Sequence, residues 1–169
     1  MAQPNLNINS DGIASIAIGK KILIESDFLS IKDFRGRRNY DFPLDESEIY
    51  FLKQDVLNYS DSFDGVYDLF VTVNDTGGIK AINIFLNSKK QEIIQLMNDK
   101  LGHYKLRSTS GLPGYSQTES YLWVSNLDIR FSLDFHKYLE RPETQISLLI
   151  YSNGEEYPGE LIITEQRDD

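Results

Sequence analysis

Between Gly65 and Asn87 the chain reads GVYDLFVTVNDTGGIKAINIFLN, and no other stretch narrows the choice of fold as much. Tyr67, Leu69, Val71 and Val73 alternate with Asp68 and Thr72, NDTGG turns the chain, and Ile82, Ile84 and Leu86 alternate back. A period of two on both sides of a Gly-Gly turn predicts an antiparallel hairpin. Directly after it the period changes. In SKKQEIIQLMNDKLGH the residues Ile93, Ile94, Met97 and Leu101 fall on one helical stripe, Ser88 and Gln91 stand where a reciprocal N-terminal cap would form, and Gly102 supplies a left-handed stop. Together these predict an α+β fold: an antiparallel, twisted sheet with this helix packed across one face, in a single domain spanning 1–169. A chain of 169 residues buries roughly 70% of the surface its unfolded form exposes, so the core needs no staples.

The flanking segments add strands. NLNINSDGIASIAI alternates through Leu6 and Ile8, carries Asp11-Gly12 as a positive-φ turn dipeptide, and resumes at Ile16 and Ile18, which predicts an opening hairpin. DFRGRRNYDFP reads as an exposed loop. Asp45 and Glu48 resemble a capping box before Ile49, Leu52 and Val56 at helical spacing, which leaves room for a second short helix; EIYFLKQ serves equally as a strand. HYKLRST reads as a strand, SGLPGYSQTES as a long mobile loop, and QISLLIYSN and GELIITE as two short strands around the turn-rich NGEEYPG. In YLWVSNLDIRFSLDF a two-residue turn at Ser125-Asn126 would pair Val124 with Leu127 and Leu122 with Ile129. Leu122, Val124, Leu127, Ile129, Phe131, Leu133 and Phe135 would then share an apolar face, leaving Tyr121, Trp123, Asp128, Arg130 and Asp134 opposite. Those aromatic and arginine residues suit a contact surface; if a helix covers that face, Trp123 is core instead.

Few residues suggest chemistry. With no cysteine there is neither a disulfide nor a thiolate site, and the two histidines, His103 and His136, are not at metal-ligand spacing, so no metal and no cofactor are expected. His103, just after Gly102, suits an interaction with the last helical carbonyls. Phosphate-loop, dinucleotide and nucleophile-elbow patterns are absent. DSFDG lacks the register and the closing Glu of a calcium loop, the sequons at Asn58 and Asn74 read as chance matches, and Arg35, Arg37 and Arg38 read as a basic loop. The chain is expected not to be an enzyme.

Charge directs the choice of partner. A formal net charge of -9 disfavours nucleic acid, which needs clustered cations, and favours a basic protein. MAQPNLNINS lacks a basic region before an apolar run, and no stretch is long and apolar enough to span a membrane, so a cytoplasmic protein is expected, or a periplasmic one if a leader was removed. A small, acidic, cysteine-free chain with no catalytic constellation and abundant Tyr, Asp and Glu resembles the immunity proteins with which bacteria neutralise secreted antibacterial toxins. The resemblance covers the whole chain, rests on its style rather than on a motif, and transfers no site residue. It implies a non-catalytic inhibitor of a basic toxin domain and leaves a homo-oligomer open. The expected partner-binding residues are Asp61, Asp64, Glu155 and Glu156 as a charged rim, with Tyr67 and Tyr157 as anchors. The alternative is an envelope-associated module that binds a ligand or peptide.

Overall fold

The computed structural model describes residues 6–22, 27–30 and 49–152. After a short hairpin of β1 (Gly12–Ile13) and β2 (Ile16–Ala17), the chain forms β3 (Phe28–Ser30), β4 (Ile49–Leu52), helix α1 (Gln54–Tyr59), β5 (Val66–Val73) and β6 (Ile79–Leu86). Helix α2 (Lys90–Leu101) then leads to β7 (Leu106–Ser110), β8 (Ser116–Val124), β9 (Ile129–Tyr138) and β10 (Thr144–Ser152). The eight strands from β3 onward make one sheet in the order β3-β4-β5-β6-β10-β9-β8-β7, with every neighbouring pair antiparallel. Two four-stranded meanders thus meet through their last strands, β6 and β10. The α+β expectation holds in its broad form, although the sheet is larger and the helical part smaller than a sheet-and-helix sandwich suggests.

The central hairpin forms as the alternation predicts. Asn74 Oδ1 accepts from the amides of Thr76 (3.1 Å) and Gly78 (2.8 Å), and Gly77 takes φ +83°. Leu69, Val71, Val73, Ile82, Ile84 and Leu86 join the main core. One residue departs from the pattern. A register shift between Val66 and Asp68 displaces Tyr67, whose ring lies 6.0 Å from Phe85 rather than among the residues two and four positions on.

Helix α2 packs through Ile93, Ile94, Leu96 and Met97, all buried, with Leu101 partly so. Its N-cap is Lys89, without a side-chain cap, so the expected Ser88–Gln91 box does not form. The first turn is held instead by an ion pair from Lys90 to Glu119 on β8. At the other end Gly102 stops the helix as expected, at φ +83° and with its amide on Asn98 O at 2.9 Å.

Elsewhere the sequence reading needs correction. Ile49–Leu52 is a strand, so of the two readings of EIYFLKQ the extended one holds and the short helix begins only at Gln54. Asp45 and Glu48, the basic loop and GELIITE lie outside the described residues. Near the start, the chain reverses between Ile8 and Ile13 and again at Ala14-Ser15, where Ala14 takes φ +52°. Gly12 is needed for close approach rather than for positive φ: a Cβ there would meet Ile16 O at 1.9 Å. The supposed loop SGLPGYSQTES is mostly strand, with only Gly111–Tyr115 connecting β7 to β8.

The β8–β9 hairpin exists, but its turn is longer than two residues. Val124 pairs with Arg130, not Leu127, and Trp123 pairs with Phe131. The shift of three residues is odd, so it exchanges the faces of β8 relative to β9. Tyr121 and Trp123 therefore join Phe131, Leu133 and Phe135 in the core, while Leu122 and Val124 lie half-buried on the opposite face with Arg130 and Ser132. Trp123 is fully buried, and its indole N–H donates to Asn98 Oδ1 and Gly102 O, both at 3.0 Å, so the ring is tied to α2 and is not a contact residue. This also corrects the reading of His103: the indole takes the helix-end carbonyl, and His103 packs its exposed ring on Tyr104 at 4.2 Å.

Candidate protein-binding surface

Most large apolar side chains of the described residues are buried. Five are exposed: Tyr59, Leu112, Tyr115, Leu127 and Leu139. Three of these sit on two adjoining connections. Because Ser116 pairs with Tyr138, the turn before β8 lies beside the turn after β9, and the amide of Leu139 donates to Tyr115 O at 3.0 Å. Leu112 (62% exposed), Tyr115 (55%) and Leu139 (58%) thus form one projecting group. The backbone that holds it is specified locally: Leu112 O accepts from the amides of Tyr115 and Ser116, both at 3.0 Å, and a Cβ on Gly111 would strike Ser116 O at 2.2 Å.

Behind these residues lies a polar-aromatic layer. Tyr138 meets Tyr115 edge-on at 6.0 Å and His136 edge-on at 4.6 Å, and the Arg141 guanidinium lies over the Tyr138 ring at 5.5 Å. His136 Nδ1 is hydrogen-bonded to Thr118 Oγ1 on the neighbouring strand. Two residues back, Asp134 is 5% exposed; burial pushes its carboxyl pKa up, and the Ser120 and Ser132 hydroxyls and the His136 ring only partly oppose that. The His136 ring thus acts on Asp134 through charge, while the hydrogen bonds of Asp134 are to the Ser120 and Ser132 hydroxyls and that of His136 Nδ1 is to the Thr118 hydroxyl, which is not the relay a nucleophilic hydroxyl requires. Among the described residues no group of three His, Asp or Glu could hold a metal ion.

The sheet register places the expected site residues. Asp61 and Asp64 are exposed in the connection before β5. Val66, Leu86, Ile146, Phe135 and Glu119 form a continuous row across the sheet, so this connection emerges at the same sheet end as Tyr115 and Leu139. The separation from β5 to β8 is four strand spacings, about 19 Å. Tyr67 lies on β5 itself, just after that connection, half-buried against Phe85, with its carbonyl accepting from Gln54 Nε2 at 3.3 Å. Glu155, Glu156 and Tyr157 lie outside the described residues; Ser152, where β10 ends, pairs with Ile129 at the other end of the sheet. The Leu112–Tyr115–Leu139 group was missed because SGLPGYSQTES was read as a long mobile loop and the segment around Leu139 was left unassigned. The available signal was the apolar residue isolated in each turn-rich stretch, GLPGY and KYLERPE.

Comparison with protein-family models yields no match for this chain, nor does comparison with curated proteins or with solved structures.

Proposed function

We propose that this chain is a non-catalytic protein-binding inhibitor, and in particular an immunity protein that neutralises a cognate antibacterial toxin. The observation that carries the binding part is the exposed apolar group of Leu112, Tyr115 and Leu139, backed by Tyr138 and Arg141. Aromatic and arginine residues supply most hot-spot energy, and a side of about 800 Å² is wide enough to span the roughly 19 Å from strand β5 to strand β8. One partner can therefore rest on this group and reach Asp61 and Asp64 at the same sheet end. The net charge of -9 favours a basic partner, with the acids speeding encounter and the aromatic group slowing release. Glu155, Glu156 and Tyr157 remain part of the proposed rim. The proposed setting is the cytoplasm, or the periplasm where a leader has been removed; among the described residues no helix is long and apolar enough to cross a membrane.

The test begins with a toxin-like open reading frame beside the gene. Co-expression should rescue growth, and Tyr115→Ala and Leu139→Asp should each weaken the complex by about tenfold or more without changing the melting temperature. Rescue that survives both substitutions, with affinity unchanged, would remove this surface from the mechanism. Failure of rescue and of complex formation would overturn the inhibitor reading.

A second reading, a module for a small ligand, is favoured by a cavity of about 370 Å³ under the N-terminal segment. Ile16, Phe28, Leu52, Val56, Phe63 and Ile79 line it, with Asn7, Lys21, Asp27, Ser15, Ser60 and Ser62 as polar groups. That volume lies within the range of small-molecule sites.

A further inference from the structure

On the face of the sheet away from α2, one row of directly paired residues runs Ile49, Thr72, Ala81, Tyr151, Arg130 and Val124 across six strands. Three polar atoms in this row are buried with no hydrogen-bond partner: Thr72 Oγ1, Tyr151 OH and Arg130 Nε. Thr72 is 2% exposed and Tyr151 9%. Buried polar groups are almost always paired, and leaving one unpaired forfeits its hydration without return, so three in one row call for a cause. Tyr151 and Arg130 are cross-strand partners, with Cβ atoms about 5 Å apart, and Thr72 is two strands from Tyr151 across the small residue Ala81. The acid on the same face of β9, Asp134, stands four residues along from Arg130, about 13 Å away, and does not neutralise it.

Each of these groups can donate, and one is a guanidinium. A ligand that satisfies them must bring acceptor oxygens and negative charge. The geometry points to an oxyanion-binding site on this face, in which the Arg130 Nε–H and the Tyr151 hydroxyl hold one carboxylate or phosphate group and Thr72 reaches a second acceptor of the same ligand across Ala81. The half-buried Arg130 is the point of entry, since its side chain is only partly covered. The site stands apart from the Leu112–Tyr115–Leu139 group: it occupies the opposite end of β9 from Tyr138, so the binding role of that group and the anion site can fail separately.

The test is nuclear magnetic resonance of the whole chain, following the Arg130 Nε–H signal during titration with citrate and, separately, inorganic phosphate, against sodium chloride at matched ionic strength. A saturable shift with Kd on the order of 1 mM or tighter is expected for at least one anion, and the stronger of the two identifies the headgroup. Tyr151→Phe, which removes only the hydroxyl, should weaken binding about tenfold while leaving the ligand-free melting temperature unchanged or higher. Arg130→Lys, which keeps the charge but loses the planar fork, should weaken it similarly. Equal shifts with chloride, the absence of saturation with both anions, or unchanged affinity in Tyr151→Phe would each overturn the site. If Arg130→Lys does not fold, Tyr151→Phe alone decides.

Discussion

The two faces of the sheet treat polar groups in opposite ways. On the α2 side, among the described residues, each one that enters the core is answered: the Trp123 indole finds two acceptors, and Glu119 accepts from Lys90, Tyr121 and Arg107. The Arg107 Nη2 lies 2.8 Å from the carboxylate. On the far side Thr72, Tyr151, Arg130 and Asp134 each retain a buried atom without a partner. The difference separates two kinds of packing. The α2 face uses its polar groups to hold the helix and sheet together, and the far face keeps buried polar atoms that the fold leaves unpaired.

The strongest way to break this comparison is to put a charge under α2. Ile93 is fully buried, and Ile93→Asp should cost about 4 kcal/mol or more through an unpaired buried charge, with denaturant unfolding as the measurement. An unchanged midpoint would refute the packing of α2 on the sheet. Trp123→Phe keeps a ring in the core but strands the Asn98 and Gly102 acceptors, and should cost about 2 kcal/mol in the same assay.

Glu119 and Asp134, one on each face, sharpen the comparison by the sign of their pH dependence. For Glu119 burial raises the pKa, but hydrogen bonds from Lys90 and Tyr121 and the charges of Lys90 and Arg107 outweigh it and hold the carboxyl below its ordinary value. A lowered folded pKa means stability that is fully present above the unfolded value and lost as pH falls through the folded one. Glu119→Gln should therefore be less stable than the parent at neutral pH, and the gap should close under acid. Its partner Tyr121 is pushed up to about 12, by burial first and then by Glu119, so it stays a neutral donor throughout. Asp134 behaves in the reverse way: its raised pKa gives a contribution present below the unfolded value and lost as pH rises through the folded one. Asp134→Asn should be as stable as the parent or more so at neutral pH, by up to about 1 kcal/mol, and the advantage should vanish under acid. Thermal melts across the acid range check both, and loss of stability in Asp134→Asn at neutral pH would show that the charged form is the one the fold favours.

Several elements were legible in the sequence because their signals are local. The β5–β6 hairpin is written in an alternation of period two around Asn74 and Gly77, whose side chain and backbone freedom make the turn without outside help. The α2 stripe and its Gly102 stop are equally self-contained. Asp61 and Asp64 were readable as exposed acids, since Asp in a turn-rich stretch seldom lies elsewhere. The Leu112–Tyr115–Leu139 group was not, because it exists only where two connections 24 residues apart in sequence, from Tyr115 to Leu139, are joined by a strand pairing and one amide bond.

What the sequence by itself determined was the β5–β6 hairpin with its turn at Asn74 and Gly77, and the main helix with its stop at Gly102; it left β4 open between helix and strand and hid the start of β8 in an apparent loop. What only the tertiary structure decided was the register of β8 against β9, and with it which face of that hairpin is core. SNLD carries no residue whose backbone demands a particular turn, although Asp128 does adopt φ +60°. With local preference so weak, the choice passed to packing. A turn of two residues would have buried Leu122 and Val124 and left Trp123 outside; the longer turn buries Trp123 under α2, where its indole N–H has two acceptors. Burying the larger ring with its donor satisfied outweighs burying two aliphatic side chains, and that balance cannot be read until the helix that covers the face is in place.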